Sequence, residues 1–74
     1  MQEQIIQDWT APANNGDTLA GIEYRIVRID NCCQQQVRNS DGAILGSIQL
    51  PDGVRMDRLS FEVMLRYAMT QIAA

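Results

Sequence analysis

Between Ile22 and Leu50 apolar and polar residues alternate in three runs separated by turn signals, and from Phe61 onward the apolar spacing changes to threes and fours. A period of two belongs to half-buried strands, and a spacing of three and four to a helix with one apolar stripe. The chain reads as an α+β domain. Residues 22–50 form an antiparallel meander of three strands, joined by a fourth if residues 1–21 contribute one. A C-terminal helix within 57–73 packs on one face of that sheet.

Turn chemistry specifies the register. Asp41-Gly42 predicts a two-residue hairpin loop with both residues at positive φ, and Asp30-Asn31 predicts a second. Counting outward pairs Ser40 with Ala43, Val37 with Gly46, Gln35 with Ile48 and Cys33 with Leu50. Across the other hairpin Ile29 meets Cys32, Arg28 meets Cys33, Ile26 meets Gln35, Tyr24 meets Val37 and Ile22 meets Asn39. One sheet face then collects Ile22, Tyr24, Ile26, Cys33, Val37, Ile44, Ile48 and Leu50. The other collects Glu23, Arg25, Val27, Ile29, Cys32, Gln34, Gln36, Arg38, Leu45, Ser47 and Gln49, with Glu23 opposite Arg38.

After the turn at Pro51-Asp52-Gly53, the residues Phe61, Met64, Leu65, Ala68, Met69 and Ile72 make one helical stripe. A helix from about Ser60 to Ala73 is expected, with Ser60 as its N-cap, or with Asp57 capping an earlier start. The expected core is Ile22, Tyr24, Ile26, Val37, Ile44, Ile48, Leu50, Phe61, Leu65 and Ile72. A second stripe, Leu59, Val63 and Tyr67, needs cover from the N-terminal segment or from another molecule. In that segment, Gln4 to Ala11 reads as a strand with Ile5, Gln7, Trp9 and Ala11 on one face and Ile6 opposite, or as a short helix. The following loop carries a turn signal at Asn15-Gly16.

Composition narrows what such a domain can do. At 74 residues and 46% hydrophobic content, residues 1–74 make one small domain near the size limit for a self-sufficient core. Two adjacent cysteines and no histidine make disulfide or zinc staples poor candidates, which leaves self-association. On a strand Cys32 and Cys33 point to opposite faces, so neither a shared metal nor a bond between them is expected. The opening Met1-Gln2-Glu3-Gln4 lacks the basic and apolar parts of a secretory signal. No apolar run approaches the roughly 20 residues of a membrane helix; Phe61 to Met69 is interrupted by Glu62 and Arg66. A cytoplasmic location with no membrane partner is the default.

Without histidine or lysine, imidazole acid–base catalysis, histidine triads, Schiff bases and phosphate-binding lysines are excluded. Asp30, Asp41 and Asp52 sit at turns, Asp8 and Asp17 form no recognisable pair, and the glycines make no phosphate loop. No cofactor, metal site or enzymatic activity is expected.

Two binding functions stay open. The first is a small interaction protein, a regulator or inhibitor that binds a protein or itself as a homodimer, through Leu59, Val63, Tyr67, Val27, Ile29 and Leu45 with Trp9 as an anchor. The second is nucleic-acid binding by a sheet face bearing Arg25, Arg38, Gln34, Gln36 and Gln49, side chains that can read base edges. Against it, the net charge is −3 and Glu23 shares the face.

Overall fold

A computed structural model describes residues 3–13 and 20–72. Four strands, β1 (Glu3–Thr10), β2 (Ile22–Ile29), β3 (Cys32–Asn39) and β4 (Ile44–Gln49), form an antiparallel meander in the order β1-β2-β3-β4. Helix α1 (Arg58–Ile72) follows and packs over β3 and β4. The fold is α+β, and the N-terminal segment supplies the fourth strand. The Asn15-Gly16 turn, Asp17 and the helix end at Ala73 lie outside the described residues.

The β2–β3 hairpin has the register that its turn dictates. Asp30 and Asn31 lie at φ 50° and 69°, both left-handed, and every pair from Ile29↔Cys32 to Ile22↔Asn39 follows.

The β3–β4 loop departs from expectation. Gly42 N–H donates to the Asn39 carbonyl and Asn39 N–H to that of Ala43, both at 3.0 Å, so the loop has three residues, Ser40 to Gly42. Of these only Gly42, at φ 89°, is at positive φ. The cause is Asn39, whose Oδ1 accepts from the N–H groups of Asp41 and Ala43 at 3.0 Å each. The extra loop residue places Ile44 opposite Arg38, and a bulge before Gly46 restores Val37↔Gly46 and Gln35↔Ile48. Ile44, expected in the core, is therefore 62% exposed. Leu45 loses its place opposite Arg38 and lies in the bulge.

Strand β1 also breaks simple alternation, with register shifts between Ile5 and Gln7 and between Gln7 and Thr10. Ile6 packs on the core, and Gln7 pairs with Ile26 on the same side. Trp9 stands on the outer face against Arg25 and Arg38. The expected common face of Ile5, Gln7, Trp9 and Ala11 is thus split, and Ala11 falls beyond the strand.

Asp57, not Ser60, caps α1. Its Oδ1 accepts the Ser60 N–H at 2.8 Å, satisfying one of the donors that a helix start leaves open. That backbone hydrogen bond, first among its causes, holds the Asp57 carboxyl below its ordinary value. Phe61, Leu65 and Ala68 then project onto Tyr24, Ile26, Val37 and Leu50 as one buried cluster.

Gln35 lies in the middle of that cluster, fully buried. Its Nε2 donates to the Phe61 carbonyl at 2.9 Å, tying the first turns of α1 to β3. Burial makes this bond a constraint on where the helix sits, because any slide along the sheet would leave a desolvated amide donor without its partner.

Candidate functional site

The outward face of α1 carries an apolar stripe, with Arg66 and Thr70 exposed beside it. Leu59, Val63 and Tyr67 recur four residues apart on one stripe and are 78%, 62% and 54% exposed. Along this stripe Leu59, Ser60, Val63 and Met64 face Gly53, Val54 and Arg55 across an open groove of about 360 Å³. Met56, 47% exposed, precedes the helix. Thr70 Oγ1 donates back to the Tyr67 carbonyl at 2.7 Å, so its hydroxyl is used within the helix.

The N-terminal segment does not cover this stripe within the described residues; it docks on a neighbouring flank. Arg58 Nη2 donates to the Ala11 carbonyl at 2.7 Å, and Ala13 N–H donates to Glu62 at 3.1 Å. Arg58 Nε also donates to Glu62 Oε2 at 2.8 Å, and the Tyr24 hydroxyl reaches the same oxygen at 3.3 Å. Pro12 is buried between these anchors in the chain. Burial pushes the Tyr24 phenol up. For Glu62, burial alone would raise the carboxyl, but the bonds from Arg58 and Ala13 outweigh it and hold the group below its ordinary value of 4.5.

This sign has a measurable consequence. Between the lowered folded value and the ordinary one, the unfolded chain binds more protons, so stability rises with pH there. The Glu62 contribution is complete above the ordinary carboxylate range and is lost as pH falls through the folded value. Glu62→Gln is expected to flatten the dependence of the urea midpoint on pH below about 4.5, Asp57 supplying the slope that remains. Equal slopes in wild type and variant would show that Glu62 is not held in this clamp.

On the outer sheet face the charged side chains pair with one another. Arg38 Nε donates to Glu23 Oε1 at 2.8 Å, the cross-strand pair expected from the register. Arg25 donates to the Gln36 amide oxygen and pairs with Glu3 at 3.7 Å. Both guanidiniums stack on Trp9, with Cζ 5.0 Å and 4.3 Å from the ring centroid. Each cation–π contact contributes about 0.5–1 kcal/mol in such a half-exposed place. Two carboxylates thus balance two guanidiniums, and the face spends its charge on itself.

The residues expected to share one binding surface divide between two. Leu59, Val63 and Tyr67 lie on the helix; Val27, Ile29 and Trp9 lie on the far side of the sheet. Val27, expected to be exposed, is fully buried. It pairs with Ile5 and Gln34, and the Glu3–Arg25 ion pair joins the residues on either side of its row. Leu45 is 39% exposed at the start of β4, and Ile29 is half-buried. Gln34 and Gln36 are half-buried, while Gln49 is exposed.

Cys32 and Cys33 take opposite faces, as the strand period requires. Cys32 is exposed, with the Gln49 Nε2 at 3.9 Å from its Sγ, and Cys33 is half-buried at the core margin. Among the described residues no three metal-ligating side chains gather, and no helix is long and apolar enough to cross a membrane.

Sequence reasoning overlooked Gln35 and the Arg58–Glu62 clamp. Signals for both were present: alternation places Gln35 between Ile26 and Ile48 on the apolar face, and Arg58 and Glu62 stand at helical i,i+4 spacing. Which segment the clamp would hold was not readable, because Ala11 and Ala13 offer only backbone groups. No protein-family model matches the chain, and neither a curated protein nor a solved structure matches it.

Proposed function

We propose that this is a small non-enzymatic interaction protein, a cytoplasmic regulator or inhibitor that acts by binding a protein through the outer face of α1. The observation that carries the reading is the stripe of Leu59, Val63 and Tyr67, exposed beside an apolar groove on a helix otherwise well anchored. Contiguous apolar surface of this kind marks protein contacts. Tyrosine is among the residues that concentrate binding energy. Lack of histidine and lysine supports a binding role over a catalytic one. Arg25 and Arg38 are engaged with Glu3, Glu23, Gln36 and Trp9, so no observation favours base reading by the sheet face.

The test is a Val63→Asp, Tyr67→Ala double variant, checked for an unchanged circular dichroism spectrum. Binding to a discrete protein captured by the wild type, or to itself, is expected to weaken at least about tenfold, as loss of a central contact does. If a folded variant keeps both its mass in solution and its captured protein, the helix face is not the binding surface.

A further inference from the structure

Strand β4 is one edge of the sheet. Leu50 N–H donates to the Cys33 carbonyl at 2.8 Å, so the hydrogen-bonded pairs alternate as Cys33–Leu50, Gln35–Ile48 and Val37–Gly46. Ser47 and Gln49 therefore turn their N–H and C=O groups away from β3, toward the open edge. Edge strands are ordinarily blunted by charge, proline or bulges. The other edge, β1, has two register shifts and carries Glu3 and Asp8. In contrast β4 reads Ile-Leu-Gly-Ser-Ile-Gln, with neither charge nor proline, and its one shift lies before Gly46.

We infer that β4 pairs antiparallel with β4 of a second copy about a two-fold axis, joining two sheets into one of eight strands. This rests on the reading of the α1 face as a protein-binding surface and names its partner as a second copy. The position of the helix selects that partner. Because α1 lies over β3 and β4, the two-fold sets two antiparallel helices side by side on one face of the joined sheet. With strands about 4.8 Å apart, the helix axes come to about 10 Å, the spacing of packed helices.

The flank that meets across the seam is the right one. Glu62 reaches Tyr24 on β2, so the flank of α1 opposite Glu62 faces the β4 edge. By helical geometry that flank carries Ser60, Met64, Tyr67 and Gln71. It is uncharged, as β4 is, so symmetric pairing brings no like charges together. The antiparallel arrangement directs Tyr67 of each copy toward the groove beside Met64 and Arg55 of the other, and one contact covers both the open strand and the Tyr67 end of the apolar stripe.

Sedimentation equilibrium tests this directly, together with hydrogen exchange of single amides. The wild type is expected at twice its chain mass of 8.3 kDa, with slow exchange at Ser47 and Gln49. Ser47→Pro deletes only an outward N–H and should leave a folded monomer, its self-association weakened at least about tenfold. Should Ser47→Pro fail to fold, the Ser47→Lys, Gln49→Lys pair decides, because it sets like charges across the seam. A single-chain mass for the wild type, or fast exchange at both amides in a dimer, overturns the inference. A dimer that survives the edge variants but dissociates on Val63→Asp also overturns it while leaving the helix face as the binding surface; indifference to all the variants removes both readings.

Discussion

Leu65→Ala is expected to cost about 2–5 kcal/mol, close to half of what holds this domain together. A chain of this length has roughly 4–11 kcal/mol of stability in all. Leu65 is fully buried at the centre of the helix–sheet contact, so truncation loses both the transfer energy of the side chain and its packing against Tyr24, Ile26 and Val37. The clean comparison is Leu59→Ala: the same chemistry, on the same helix, at a position 78% exposed. That change should alter the stability of the monomer by no more than about 0.5 kcal/mol. Urea titrations at one fixed protein concentration give both values, the concentration mattering because self-association would add to apparent stability. Equal losses at the two positions would mean that α1 does not present Leu65 to the sheet.

Gly46→Ala is the second large effect, expected at about 1–3 kcal/mol, and it acts through the Ile72 side chain and through the backbone, which lies at φ 159°. A Cβ at position 46 would stand 2.9 Å from Ile72 Cγ1 and 3.2 Å from its Cδ1, closer than packed carbons come. Glycine here lets the end of α1 settle onto β4 just after the bulge. A double-mutant cycle isolates the contact: with Ile72→Ala present, the alanine at 46 has room, and the loss in the double variant should fall short of the sum of the two single losses by more than about 0.5 kcal/mol. Additive losses would place Ile72 away from Gly46.

These two experiments bear on function because they test what holds the α1 face rigid. Leu65 and Ile72 seat the helix, Gln35 sets its position along the sheet through Phe61, and the Arg58–Glu62 clamp ties residues 11–13 to its flank. On the proposed reading, an apolar surface held this way is already ordered before a partner arrives, which would lower the entropy cost of binding.

Much of this was legible from residue types alone. Asp30-Asn31 dictated the β2–β3 register because two adjacent left-handed residues define a two-residue loop, and a loop length defines every pair that follows. The period change at Phe61 placed the helix and its buried side. Asp41-Gly42 misled because the deciding group was the neighbouring Asn39, whose amide oxygen accepts from the N–H groups of Asp41 and Ala43 and so favours the longer loop. Ile44 left the core on that account. Val27 became buried through its neighbours on β1 and β3, which no local pattern encodes.

By itself, then, the order of residues determined the α+β class, the β2–β3 pairing, the opposite orientation of the two cysteines and the exclusion of histidine and lysine chemistry. All of these follow from backbone period, turn conformation or composition, which are local or countable. Tertiary structure alone decided that Trp9 would lie against two arginines, that residues 11–13 would dock beside Arg58 and Glu62, and that β4 would be an edge of the sheet among the described residues. Each of those depends on which groups distant in the chain reach one another first, and there the competition is settled by packing and desolvation across the whole molecule.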